Sequence, residues 1–151
     1  MMKNALVLAA MSVVAFVVAG SAVAAAQPTT RSATVTTART GLGRILVDGR
    51  GRSLYLFEKD GQGRSRCSGT CAAYWPPLLT SSKPLAIKGA KASLLASIRR
   101  ADGSRQVTYA GHPLYFFSGD TARGQTTGEG LQDFGAGWYV LAPSGKKIDR
   151  D

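Results

Sequence analysis

Apolar and polar positions alternate in short runs along most of the chain, and Gly, Pro and Asp interrupt the runs every few residues. That is the punctuation of β-hairpins. Residues 44–47 (RILV) form a first run. Residues 48–51 (DGRG) break it, since Gly tolerates positive φ and Asp bonds to its own following backbone. Residues 54–58 (LYLFE) return as a strand, and residues 60–63 (DGQG) end it. The Asp102–Gly103 pair is a hairpin signal, followed by a return strand over 105–109 (RQVTY). Residues 110–113 (AGHP) turn, 114–117 (LYFF) form another strand, and 138–141 (WYVL) a last one. Two stretches break the pattern. Residues 72–75 (AAYW) fit one or two helical turns that must stop by Pro76. Residues 94–100 fit either a helical turn, through Leu94, Leu95 and Ile98, or the start of a strand. Residues 121–137 hold five glycines and read as an ordered loop.

Two ten-residue stretches, 51–60 (GRSLYLFEKD) and 111–120 (GHPLYFFSGD), are related to each other. Sixty residues apart, five positions are identical: Gly51/Gly111, Leu54/Leu114, Tyr55/Tyr115, Phe57/Phe117 and Asp60/Asp120. In a strand, alternate side chains share a face. Tyr55 and Phe57 therefore share one, as do Tyr115 and Phe117, and the rings are expected to fill a core common to both copies. A lone half of about 60 residues would bury only about 60% of its unfolded surface and be marginal. The expected fold is mainly β: two related hairpin-rich halves, about 43–79 and 94–141, sharing one core within a single domain over 43–151, with a short helical turn near 72–75.

The beginning of the chain reads differently. Lys3 is followed by an apolar stretch over 5–20 and by small residues spaced A-x-A at Ala22/Ala24 and Ala24/Ala26. This is the layout of a secretory signal peptide over 1–26. A retained anchor is the alternative, since about 20 apolar residues span a membrane. No Cys lies near the junction, so lipid attachment at a mature N-terminal Cys is not expected. Residues 27–42 are rich in Thr, Ser, Ala and Arg and read as a flexible leader, with at most one edge strand around Thr34–Thr37. Removing Lys3 takes one charge from the formal net charge of +10. The remaining excess favours anionic neighbours such as an acidic envelope component. Scattered rather than clustered cations fit a soluble basic surface equally well. No nucleic-acid partner is expected, and no membrane span after cleavage.

The Tyr-x-Phe-x-x-Asp motif, present twice, comes with Cys67-x-x-x-Cys71, with WPPL over 75–78, and with TYAGHPLY over 108–115. Together these resemble the bacterial family described as a secreted repeat of unknown function, also described as predicted lipoproteins with a Yx(FWY)xxD motif. The resemblance covers roughly residues 43–141. It implies a periplasmic or secreted protein of the bacterial envelope with no established enzymatic activity.

Three groups are candidates for chemistry. Cys67 and Cys71 are an expected disulfide in an exported chain. Residues four apart on a helix have Cβ atoms about 5–6 Å apart, too far for the bond, so 67–71 cannot then be regular helix. A redox or metal pair joined by His112 is the rival reading. His112 otherwise reads as an exposed turn residue. Asp60 and Asp120 read as acceptors for backbone N–H groups in their following turns. A catalytic carboxylate pair or a Ca²⁺ site is their rival reading. No Ser–His–Asp set and no phosphate loop is present. The expectation is a non-enzymatic exported repeat domain without cofactor or metal. A redox- or metal-linked protein using Cys67, Cys71 and His112 is one alternative, and an electrostatic binder of acidic envelope polymers another.

Overall fold

The computed structural model describes residues 31–150. The signal peptide read from residues 1–26 lies outside them. Ten short elements follow one another: β1 (Thr34–Thr40), β2 (Gly43–Asp48), β3 (Tyr55–Phe57), α1 (Thr70–Tyr74), β4 (Leu85–Ala86), a 3₁₀ turn (Ala92–Leu94), β5 (Leu95–Arg99), β6 (Arg105–Tyr109), β7 (His112–Pro113) and β8 (Trp138–Val140). The domain is mainly β, with one short α-helix. That helix ends just before Trp75 and the two prolines, where the chain is forced out of the α region. The ambiguous 94–100 stretch resolves into the end of the 3₁₀ turn and then β5.

The flexible leader is a correction. Residues 34–40 form β1, the middle strand of a sheet ordered β2-β1-β4. It pairs antiparallel with β2 through six residues and parallel with β4. Composition misled here because β1 carries no large apolar residue, yet Ala33 and Val35 are buried in one core cluster and Ala38 packs against the other. Thr-rich sequence then suits the half-exposed remainder of a β-strand.

The two halves repeat one plan. Hairpin β1–β2 in the first half corresponds to β5–β6 in the second. Each hairpin hydrogen-bonds to the motif strand of its own half: Leu54 N–H to Leu46 C=O (3.1 Å), and Leu114 N–H to Val107 C=O (3.0 Å). Between the hairpins the two motif segments meet: β3 in the first copy and, in the second, residues 114–117, which form isolated bridges at Tyr115 instead of the full strand expected, because β7 stops at Pro113. Tyr55 and Tyr115 exchange both backbone hydrogen bonds, at 2.9 and 3.0 Å, so a pseudo-twofold axis passes between them. Each is flanked on its far side by a segment of the opposite half. Tyr55 pairs with Val140 of β8, and Tyr115 bridges to Pro77. These flanking segments are a second repeated pair, Trp75-x-x-Leu78 and Trp138-x-x-Leu141. Leu78 C=O accepts from Val107 in the second hairpin and Leu141 C=O from Leu46 in the first, both at 2.9 Å. Every one of these links across the axis has its counterpart.

The core lies on both sides of the motif strands, as period-two alternation requires. Leu54, Leu56 and Leu114 join one buried cluster with Val35, Leu46, Val107 and Tyr109. Tyr55, Phe57 and Tyr115 join the other, with both tryptophans and the two cysteines.

Candidate functional site

The second cluster is built around a column of four rings. Phe57 stacks on Trp138 (centroids 4.0 Å, planes 6° apart), Trp138 on Trp75 (3.9 Å, 7°), and Trp75 on Phe117 (4.4 Å, 31°). The pseudo-twofold axis passes between the tryptophans. Tyr55 meets the edge of Trp75 at 5.3 Å, and Tyr115 meets Trp138 at 5.2 Å, both near perpendicular. Such offset and T-shaped contacts add to the stabilisation from burial. Tyr55, Tyr115 and both tryptophans are fully buried. Phe117, at the end of the column, is half-buried and lines a cleft.

Each phenol reaches the aspartate of the other copy. Tyr55 donates to Asp120 (2.6 Å), and Tyr115 donates to Asp60 (2.7 Å). Each aspartate uses its second oxygen in its following loop. Asp60 accepts from Arg66 N–H (2.6 Å), and Asp120 from Thr127 N–H (2.9 Å) and the Thr127 hydroxyl (2.6 Å). The motif aspartate therefore ties down its own loop and also clamps the other half. Burial, and then the carboxylate that each faces, push both phenols well above their ordinary range, so they remain protonated donors.

The motif glycines obey the same exchange. Gly51 and Gly111 hold φ of +84° and +81°, a region that side chains avoid. Their carbonyls accept from Gly124 N–H (3.0 Å) and Gly63 N–H (3.2 Å), each in the loop behind the opposite aspartate. A side chain lies across each glycine where a Cβ would stand: Arg123 over Gly51, and Gln62 over Gly111.

The halves differ around Asp60. Arg100, nearly buried, donates to Ser65 Oγ (2.9 Å), Gln106 Oε1 (2.7 Å) and Cys67 C=O (2.7 Å). Ser65 in turn touches the Tyr115 hydroxyl (2.7 Å). Burial pushes the Asp60 carboxyl up to about 6, against the Arg66 N–H and Tyr115 hydrogen bonds and the nearby Arg100 charge, which pull it down.

Cys67 and Cys71 form a disulfide with Cα atoms 5.2 Å apart, and both are buried. Cys67 precedes the helix, and Gly69 at φ +59° turns the chain into it. His112 is not the exposed turn residue expected. It opens β7, pairs with Tyr109 across the turn, and is half-buried; burial lowers its basicity. It lines a cleft of about 230 Å³ with Glu58, Asp60 and Lys147. Asp120 lines a different cleft, of about 180 Å³, with Arg52, Ser53 and Phe117. The two aspartates thus open onto separate surfaces. Among the described residues, no three His, Cys, Asp or Glu side chains lie close enough to hold a metal ion.

Two parts of this arrangement escape a reading of the ten-residue repeat alone. The Trp-x-x-Leu pair is spaced sixty-three residues apart, not sixty, and carries Pro76 and Pro77 in one copy against Tyr139 and Val140 in the other. Aligning the segments behind each motif aspartate would have found it. The Arg100 network has no such signal, since it has no counterpart in the first half.

A family model described as a secreted repeat of unknown function matches residues 36–79 and again 96–142. The two matches end just past Leu78 and at Ala142, after each Trp-x-x-Leu segment. No curated protein and no solved structure matches the chain. No helix among the described residues is long and apolar enough to cross a membrane.

Proposed function

Because the chain belongs to the family of secreted repeats of unknown function, we propose that it is a non-enzymatic domain, periplasmic or secreted, that acts by binding or as a component of the bacterial envelope. One observation carries the reading. The groups that both copies share, two tyrosines and two aspartates, are spent on each other across the pseudo-twofold axis. Each carboxylate bonds a phenol of the other half with one oxygen and its own following loop with the second, which is what a structural clamp requires. A structural role is also the kind of role needed once per half. Screening purified protein against envelope polysaccharides, peptides and esters is expected to give no turnover. Turnover that a folded Asp60→Asn or Asp120→Asn variant abolishes would overturn the reading.

A redox- or metal-linked role finds less support. The cysteines are joined and buried, and His112 lies in a cleft with Asp60 rather than beside a free thiol. Protein from its native compartment is expected to show no free thiol and no stoichiometric metal.

A further inference from the structure

The pseudo-twofold axis supplies an internal comparison. Whatever the fold requires at the motif turn must be met in both copies. Around Gly111 it is met by neutral residues: Ala110 before it, half-buried His112 after it, and Gln62 across it. The corresponding positions around Gly51 are Arg50, Arg52 and Arg123. The fold demands no cation there, yet three are present.

Two more join them from elsewhere in the chain. Arg31, Arg50 and Arg52 line a cleft of about 290 Å³ on one side of the turn. Lys88 and Arg123 line another, of about 410 Å³, on the other side. Asp48 and Gly49 belong to both walls, so the two clefts lie on either side of the same turn. Asp48 is the one acid in either wall, and it is engaged: it accepts from Arg52 at 2.7 Å and from the Arg50 and Arg52 backbone N–H groups at 2.9 Å. Asp120 lies beside Arg52 in the adjacent cleft, its oxygens held by Tyr55 and Thr127. Among the described residues no carboxylate pairs with Arg31, Arg50, Lys88 or Arg123. Arg123 is held in place by donating to Arg50 C=O at 3.1 and 3.2 Å, and Arg52 by stacking over Phe116 at 3.9 Å. Guanidinium groups fixed in this way are suited to bidentate contact with oxyanions.

We propose that the Asp48–Arg52 turn and the clefts on either side of it form a binding surface for a linear polymer of oxyanions, crossed by the polymer from the Arg31 side to the Lys88 side. The inference rests on the binding role proposed above and names its partner class. A linear ligand fits because the cations lie in two open clefts flanking one exposed turn rather than around one enclosed cavity.

The test measures binding of long-chain polyphosphate and of polygalacturonate by anisotropy or calorimetry, at low and at physiological salt. It compares the wild type with Arg50→Gln/Lys88→Gln/Arg123→Gln. A control, Arg64→Gln/Arg99→Gln/Arg105→Gln, removes equal charge from exposed arginines of other surfaces. Wild type is expected to bind at least one polymer, more weakly as salt rises. The first triple variant is expected to lose about tenfold or more in affinity, since it removes three exposed cationic contacts at once. The control should stay within about twofold. Stronger binding of polyphosphate assigns phosphate as the recognised group, and stronger binding of polygalacturonate assigns carboxylate. Equal losses in both triple variants would reduce the effect to net charge and overturn the inference. So would failure of both polymers to bind at physiological salt. Neither result touches the non-enzymatic reading, which fails only on turnover.

Discussion

Trp75 and Trp138 are equivalent in the ring column but not at their indole nitrogens. Trp138 Nε1–H donates to Asp133 C=O at 2.9 Å, whereas buried Trp75 Nε1 has no partner in the protein. A buried donor left unpaired costs about 1–3 kcal/mol. Replacing Trp75 by Phe removes ring area together with that penalty. Replacing Trp138 by Phe removes similar area and leaves Asp133 C=O without its donor. Denaturant titration is expected to place Trp138→Phe about 1–2 kcal/mol below Trp75→Phe; the reverse order would refute this account of the column. Asp60 gives a second prediction at this scale. Its carboxyl rises from an ordinary value of about 3.8 to about 6 in the folded protein. The native state therefore holds a proton there that the unfolded chain has released. The contribution of this group is fully present below about pH 4 and is lost as pH rises through about 6. Between pH 4 and 7 the wild type should lose about 1–2 kcal/mol relative to Asp60→Asn, discounted for solvent screening because the carboxyl is part-exposed. Urea midpoints across that range would show it, and a difference that grows in favour of wild type with rising pH would contradict it.

The disulfide joins Cys67, ahead of α1, to Cys71 in its first turn, and so fixes the helix that leads into Trp75. Closing so short a loop stabilises by about 2 kcal/mol in the chain-entropy model. Cys67→Ala/Cys71→Ala is expected to lower stability by about that amount and to keep the fold, as read from denaturant midpoints with and without reductant. Complete unfolding would mean that the bond holds the core together, which the ring column is proposed to do. Elements differ in how far the chain announces them. The two motif segments were legible because Gly51 to Asp60 and Gly111 to Asp120 share spacing and residue type, although only the first holds a full strand. The helix was legible because Pro76 and Pro77 stop it. β1 was not, because Val35 and Ala38 give no periodic signal among five polar neighbours, and the cluster in which Val35 is buried includes residues as remote as Val107 and Leu141. The exchange of partners was illegible for a sharper reason: Tyr55 with Asp60 and Tyr55 with Asp120 satisfy the same motif equally well on paper. Two copies of one string cannot say which copy bonds to which.

At the scale of the whole molecule, the exchange makes the two halves interdependent. Phe57 stacks on the tryptophan of the other half, Tyr55 and Tyr115 reach the other half's aspartates, and Leu78 and Leu141 receive the other half's hairpins. Neither half contains a complete copy of the structure its own sequence encodes. The repeat is thus a device for assembling one core, and it leaves the surface free to diverge, as the cationic turn at Gly51 and the neutral one at Gly111 have done. A double-mutant cycle tests this most directly. Tyr55→Phe and Asp120→Asn, separately and together, are expected to show a coupling energy of about 1–2 kcal/mol in denaturant titrations, while Tyr55→Phe with Asp60→Asn adds within about 0.5 kcal/mol. Coupling between Tyr55 and Asp60, with none between Tyr55 and Asp120, would show that each copy closes on itself and would contradict the interlocked structure.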